Sequence, residues 1–587
     1  MFYYLHGMNP ADFFTHPADR KQRLYEALRK SFTEKVSDKA ICAEFDLKFN
    51  TFRSVKRDFQ RLLHKGQHPA SLFFSSSKVG KRPSVMPELG QRIVSLREQR
   101  LSVPDIKAIL SAQDTQISLW KIDRVLKEHH FPVLPRRTKQ SKRQINLPDG
   151  FIPAESVPHN WDETESFESL YGSIFLFVPV LKQLGIDEIV EESGYPQTQQ
   201  LSRVNAILSF LALKLTNSKR LAHSNDYGLD RGLGLFAGLN VLPKNAWFGS
   251  YSYRISRIMN IRFLEGLTRK LTELLPGEDD FNLDFTTIPH WGDESVLERN
   301  WSATRHIGLK SVLAMIVQRQ DNRTLTYSNA GIKHEYQSDA ILEFVDFYRQ
   351  SGGRVNCLIF DSKFTTFKNL DALNKDAIKF LTLRRRSEKL VAQAEQVAPQ
   401  QWQVVKLNKN FRRKHRNLLI YDAPISLKDY QGELRQIIVK NNGREQPAFI
   451  ITNDFDITAK QAVLKYAQRW LVEQAIAEQI EFYHLNRLNS SIVVKVDFDL
   501  TISLLADAVY KLFCSQIPGF ENCKADKIYR SFIENYTCFK LENDKIHVKL
   551  NKKVHLPLLF ETDFFNQETQ IPWLNNYSLK FDIATTS

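Results

Sequence analysis

The chain has 587 residues, 42% hydrophobic and 25% charged, with five cysteines and a net charge of +15. That length exceeds the size at which a single core stops growing, so several domains are expected. Scattered cysteines such as Cys42, Cys357 and Cys523 exclude a disulfide framework and zinc-ligand spacing, and fit a reducing cytosol.

The longest apolar stretch, near Ile174 to Leu181, is too short to span a bilayer and contains Pro179. The first residues lack the charged-then-apolar pattern of a signal peptide. Residues 1–150 hold 28 Lys and Arg against 15 Asp and Glu, so nearly all the positive surplus sits in the first quarter of the chain. A local cationic field attracts polyanions by counterion release, which makes nucleic acid the leading partner. An anionic membrane surface comes second, and a merely solvated basic surface is the bland alternative.

In chain order, residues 20–64 read as helices. Ser37 opens a stretch with Ala40, Ile41 and Phe45, and Asp46-Leu47-Lys48 breaks it. Phe52, Val55 and Phe59 then recur at helical spacing while Arg53, Lys56 and Arg57 lie off that stripe, the layout of a DNA-recognition helix. Residues 65–85, rich in Ser, Gly, Pro and Lys, read as a linker. A second unit follows, with Ile93, Val94 and Leu96, then Ser102 and Asp105 as a helix start, then a helix capped by Ser118. In that last helix Leu119, Ile122, Val125 and Leu126 are expected inside, and Lys121, Arg124 and Lys127 outside. Arg136, Arg137, Lys139, Lys142 and Arg143 form a basic run read as an arm. Each unit alone fits a plain three-helix bundle equally well. Two in tandem within the basic quarter favour helix-turn-helix DNA readers.

Residues 160–275 read as mostly helical, with a Gly-rich break from Gly228 to Gly238. The pattern then switches. Strands are expected at Phe281–Ile288, Ser311–Gln318, Thr324–Ser328, Val355–Phe360 and Ile378–Leu383, with helices at Ser338–Gln350 and Phe367–Asn374. Three strands, helix, strand, helix, strand is the element order of an RNase H-like fold. Residues 402–452 add at least four strand-like runs, Thr458–Phe482 reads as one long helix, and 500–514 as another. The tail from about 540 mixes short strands.

The expected fold class is therefore multidomain α+β. Its expected parts are a first helix-turn-helix unit (1–66), a linker (67–85) and a second unit with its basic arm (86–150). A helical connecting domain (151–278) follows. Next come an RNase H-like core in two parts (279–395 and 456–520) around a β-rich insertion (396–455), and a C-terminal extension (521–587).

Two-metal phosphoryl transfer needs carboxylates from separate elements converging on a pair of hard, oxygen-seeking cations. Asp284 lies in the first core strand and Asp361 at the end of the fourth, strands that are neighbours in an RNase H-like sheet. Glu473 lies on a helix able to pack against the same edge. Each has a bland reading: Asp284 as a strand end, Asp361 as a helix cap, Glu473 as an i,i+4 partner of Arg469. Asp293, Glu294, Asp371, Glu478 and Glu481 compete for the same roles.

The segment Tyr466-Ala467-Gln468-Arg469-Trp470-Leu471-Val472-Glu473 resembles the third motif of bacterial insertion-sequence DDE transposases: Tyr, two residues, Arg, three residues, Glu, six residues, Lys. Asp284-Phe285-Thr286-Thr287-Ile288-Pro289 and Phe360-Asp361-Ser362-Lys363-Phe364-Thr365-Thr366 resemble that group's first and second motifs. The resemblance runs from about residue 280 to 515 and is weaker in the N-terminal readers. It implies an RNase H-like catalytic domain with a β-rich insertion between the second Asp and the Glu. It makes Asp284, Asp361 and Glu473 catalytic ligands of two Mg²⁺ ions, with Mn²⁺ as a substitute, and gives Tyr466 and Arg469 phosphate contacts at the transposon end. The Lys expected seven residues after Glu473 is Ile480, with Lys495 as a candidate substitute.

The function so implied is cut-and-paste DNA transposition: hydrolysis at the element's end, then attack of the freed 3′-OH on target DNA. The implied partners are terminal inverted repeats and target duplex. A homodimeric synaptic complex is expected, in a bacterial cytoplasm and associated with the nucleoid. The rival readings are a non-catalytic DNA-binding regulator, a metal-dependent nuclease, and an inactive or domesticated transposase, which Ile480 favours.

Overall fold

The computed structural model describes residues 17, 19–34, 36–66, 73, 87–98, 101–112, 115, 117–129, 131, 154–157, 161–198, 200–219, 221–289, 297–302, 306–406, 417–443, 445–486 and 493–584. Contacts divide the chain into two units, Met1–Leu147 and Pro148–Ser587.

The first unit holds two groups of three helices. Helices α1 (Arg20–Thr33), α2 (Asp38–Glu44) and α3 (Phe49–His64) enclose Leu28, Ile41, Phe45 and Phe52, with Val55 and Phe59 against them. Helices α4 (Pro87–Glu98), α5 (Val103–Ala112) and α6 (Leu119–Glu128) enclose Ile93, Leu96, Ile106, Ile122, Val125 and Leu126. The expected caps form. Ser37 accepts from the Ala40 amide, and Ser102 and Asp105 satisfy each other's backbone amides at 3.1 and 3.3 Å. Leu119 departs from expectation: it is exposed beside exposed Trp120, while Ile117 and Ile122 on either side fill the core. The basic run at Arg136 and Arg137, and nearly all of the expected linker, lie outside the described residues.

The second unit begins with β1 (Trp161–Ser169), followed by a helical stretch that includes α7 (Arg203–Leu215) and α8 (Arg257–Leu274). Then come β2 (Asp280–Pro289), β3 (Arg299–Ser302), β4 (Ile307–Arg319), β5 (Leu325–Ile332), α9 (Ala340–Gln350), β6 (Cys357–Phe360), α10 (Phe367–Lys375) and β7 (Lys379–Leu383). Strands β8 (Gln403–Lys406), β9 (Asn417–Ile425), β10 (Leu434–Lys440) and β11 (Ala448–Thr452) follow. Helices α11 (Ala459–Ala467), α12 (Trp470–Glu481) and α13 (Val493–Ser515) come next. The chain continues through β12 (Thr537–Asn543), β13 (Lys545–Leu550), β14 (Thr569–Ile571) and β15 (Tyr577–Ile583).

The main sheet has the order β3-β4-β2-β6-β7-β11-β10-β9-β8, with β5 also paired to β4. β2 runs antiparallel to β4 and parallel to β6, and β6 is parallel to β7. The strands of Asp284 and Asp361 are therefore neighbours, as expected. The four strands of 402–452 do not stand apart from the sheet: β11 pairs antiparallel with β7 and extends it. The period-2 alternation of β6 shows how the two faces are filled. Leu358 and Phe360 enter the main core, whereas Cys357 and Ile359 enter a second cluster with Leu418, Ile437, Ile450 and Val463.

Three expectations need correction. The helix read as continuous over Thr458–Phe482 breaks at Gln468–Arg469. There the amides of Arg469, Leu471 and Val472 each bond three residues back, the tighter pattern of a 3₁₀ turn. The cause is packing, since Ala462 and Val463 of α11 belong to the second cluster while Val472 and Ile476 of α12 belong to the main core. The helix expected at 500–514 begins earlier, at Val493. And β1 lies in the stretch read as helical. It pairs with β12 in a second sheet, β1-β12-β13-β15-β14, so strands at both ends of the unit complete one layer.

Gly172, just after β1, sits against that layer so closely that a Cβ would overlap Thr537 Oγ1 and the Phe539 ring. Phe539 is itself fixed between Phe167 and Phe175, with ring centroids at 4.9 and 5.1 Å. Gly172→Ala is therefore expected to destabilise the unit by about 1–3 kcal/mol, read as a lowered melting temperature. A wild-type melting curve would show that the strands give way.

Candidate active site

Asp284 sits on β2 opposite Ile316 of β4. On its other side the parallel register ends with Leu283 paired to Phe360, so the next residues along the two strands are Asp284 and Asp361. Parallel pairing thus delivers two carboxylates to adjacent strand positions where the apolar run of β6 stops. Asp284 Oδ1 accepts from the Phe285 amide at 2.8 Å, and Asp361 Oδ1 from the Ser362 amide at 2.6 Å.

Arg469, between α11 and α12, reaches both the β2 strand and the α12 helix. Its Nη1 donates to Asp284 Oδ2 at 2.7 Å and its Nη2 to Glu473 Oε1 at 2.5 Å. Asp361 acts on the same guanidinium through space. Burial pushes the Asp284 carboxyl above its ordinary value; Arg469 pulls it down and Glu473 pushes it up. Burial also lowers the charged-state preference of Arg469, but the surrounding acids and Tyr466 more than offset that and raise it. Tyr466 packs against the second cluster, its hydroxyl buried beside Arg469, and burial raises its phenol. α12 packs on β2 and β4, which brings Glu473 to the strand bearing Asp284.

Two of the bland readings hold as well: Asp361 caps the short turn Ser362–Phe364, and Glu473 is an i,i+4 partner of Arg469; the third does not, because Asp284 lies mid-strand in β2 rather than at its end. The competing acids have other work. Asp371 accepts from the Gln431 amide and pairs with Lys375, both at 2.7 Å. Glu478 accepts from the Ala525 amide at 2.6 Å, and Glu481 is exposed. Asp293 and Glu294 lie outside the described residues. Ile480 is half-buried against the main core, so a lysine there would point into apolar packing. Lys495 stands 3.1 Å from the Tyr253 ring centroid and donates to the Gly249 carbonyl.

In chemistry the three carboxylates suit a hard divalent cation. Among the described residues, no three ligand-type side chains are grouped to hold an ion as they stand. The Arg469 guanidinium takes that place as a stand-in cation bonded to two of the three. The donor set fits divalent ions; its present partner is an arginine.

In the N-terminal unit Arg53 and Arg57 are exposed on α3, as is Lys121 on α6. Lys56 is not free: it pairs with Asp38 at 2.6 Å and stands 5.3 Å from the Phe32 ring centroid. Arg124 pairs with Glu128 and Lys127 with Asp123, at 2.7 and 2.8 Å along α6. Exposed i,i+4 pairs of this kind are weak, at about 0.3–0.5 kcal/mol, and yield readily to a phosphate. The sequence reading missed the pairing of Lys56, although Asp38 at the start of α2 was the available signal.

Residues 284–506 match the family model described as transposase DDE domain. The match begins at Asp284 and ends within α13, so it takes in all three carboxylates and Arg469. The sheets define a mixed α/β protein that, over residues 284–506, is similar to a transposase DDE domain. Among solved structures, a piggyBac transposase in a synaptic complex with hairpin DNA is similar at 10% identity. That similarity covers 62% of this chain and 79% of that one, with a TM-score of 0.35. No curated protein matches the chain. No helix among the described residues is long and apolar enough to cross a membrane.

Proposed function

We propose that the chain is an insertion-sequence DNA transposase that binds terminal inverted repeats, cleaves at them and joins the freed strands to new DNA. Asp284, Asp361 and Glu473 are its metal-holding carboxylates, for two Mg²⁺ ions with Mn²⁺ as a substitute. One observation carries this reading: Asp284 and Glu473, remote in sequence, bond one guanidinium beside the strand end that bears Asp361.

When bound, the divalent ions supply charge neutralisation at the scissile phosphate and activation of the attacking oxygen. The chain's own residues do the rest. The amides of Phe285 and Ser362 fix one oxygen each of Asp284 and Asp361, and Arg469 holds the other oxygen of Asp284; these carboxylates, with Glu473, would hold the ions. Arg469 and Tyr466 hold the phosphates of the element's end, a task suited to a forked donor. Arg53, Arg57, Lys121, Arg124 and Lys127, on two amphipathic helices, read the repeats, with Arg136 and Arg137 as a basic arm and Lys56 bracing α3 on α2. The RNase H-like strand order supports this assignment. Two ends must be processed together, so the working form is a homodimer on DNA, in a bacterial cytoplasm at the nucleoid.

The test is incubation of the purified chain and Mg²⁺ with duplexes carrying the repeats that flank its gene. Donor strands covalently joined to target DNA are expected. Cut but unjoined products make it a nuclease. Binding without cutting makes it an inactive, DNA-binding relative, the reading that Ile480 in the core favours.

A further inference from the structure

Three features of Arg469 go beyond a phosphate contact. Its guanidinium bridges Asp284 and Glu473 at 2.7 and 2.5 Å, using carboxylate lone pairs that a divalent ion would need. Its side chain is only 16% exposed, as is that of Asp284, whereas Glu473 is 53% exposed, so the bridge joins an inner carboxylate to an outer one. And it stands at the break between α11 and α12, where the chain is not held in a continuous helical ladder, while its Nε is buried without a hydrogen-bond partner. The arginine is thus strongly engaged by charge and incompletely satisfied by geometry.

We propose that Arg469 is an exchangeable latch. Without DNA it holds Asp284 and Glu473 as a surrogate cation and keeps divalent ions out. A DNA phosphate offers the same forked donor an equivalent anionic partner, draws it off the carboxylates and opens them to metal. This rests on reading the three carboxylates as metal ligands. By linkage, DNA then tightens metal binding and metal tightens DNA binding by the same factor. The consequence is a chain that does not load its metals until a strand lies in the site.

The test is Mn²⁺ titration of the full chain, followed by the loss of the free-ion electron paramagnetic resonance signal, with melting temperatures as a check on folding. Without DNA, Arg469→Gln is expected to bind Mn²⁺ about tenfold tighter than wild type. Arg469→Lys keeps the charge but loses the planar fork that reaches both carboxylates in a fixed geometry, and it too should bind more tightly. If Arg469→Lys behaves as wild type, the effect is one of charge alone and the latch is wrong. Duplex DNA of arbitrary sequence should tighten Mn²⁺ binding by wild type and leave Arg469→Gln unchanged; a duplex that tightens both alike, or neither, overturns the exchange. Asp361→Asn in the Arg469→Gln background should lose the gained affinity. If Asp361→Asn changes Mn²⁺ binding in neither background, the metal-ligand reading itself fails and takes the latch with it.

Discussion

Asp361→Asn should lower both cleavage and strand transfer by about a thousandfold or more while leaving binding to the element's ends intact. Charge stabilisation by metal ions is worth several kcal/mol, and about 1.4 kcal/mol is a factor of ten in rate. The substitution is a clean one. The bond that fixes Asp361 is an Oδ1 accepting from the Ser362 amide at 2.6 Å, which an asparagine carbonyl can also accept, so the turn Ser362–Phe364 survives and only the charge is lost. Asp284→Asn should be as damaging to catalysis but is harder to interpret, because it also removes one of the two anchors of Arg469. The measurement is single-turnover cleavage and joining of a labelled end duplex, with a gel-shift assay run in parallel. An Asp361→Asn protein that keeps more than about a tenth of wild-type activity would remove Asp361 from the metal site, and the two-ion reading with it.

What could be read in the sequence follows from which interactions are local. Asp361 was visible because four apolar residues, Cys357 to Phe360, run straight into it, and a short buried strand ending in a carboxylate is an unusual local pattern. Asp284 was visible by its place in an alternating strand. The turn at Gln468–Arg469 was not: Val463 and Val472 stand nine residues apart, about 900° along an ideal helix and so on opposite sides of it, but a phase shift between two short apolar pairs, Ala462 with Val463 and Val472 with Ile476, is a faint mark. Nothing local records that the first pair belongs to one core cluster and the second to another. Because the break was hidden, so was the position of Arg469 between two helices, from which it can reach a strand. β1 was hidden for a different reason. Its residues Trp161-Asp-Glu-Thr-Glu-Ser-Phe-Glu-Ser carry little apolar alternation, and its partner β12 comes near the end of the chain. A strand whose stability comes from pairing that remote has almost no signature of its own.

The same logic applies to the buried ionic network behind the sheet, where the second large effect is expected. Asp497, at the start of α13 and only 2% exposed, accepts from Arg257 Nη1 at 2.7 and 2.9 Å, from Asn260 Nδ2 at 2.7 Å and from the Ala330 amide at 3.1 Å. Arg257 spends its other donors on the Ser328 carbonyl and the Tyr327 hydroxyl. One carboxylate thereby ties α13 to α8 and to β5, which is paired to β4, the strand beside Asp284. Asp497→Ala strands the Asn260 and Ala330 amides and takes from Arg257 its nearest counter-charge, leaving Glu343 at 3.6 Å, and breaking such a buried pair costs about 3–5 kcal/mol. The melting temperature should fall by several degrees, while activity per folded molecule persists well below the transition, because no reacting group is touched. Replacing both partners together, Asp497→Leu with Arg257→Met, removes the stranded charge. It should recover most of the loss, which a double-mutant cycle would read as a large coupling between the two positions. If Asp497→Ala melts within about a degree of wild type, the network does not hold α13 to the sheet, and the placement of the catalytic strands must rest on the apolar core alone.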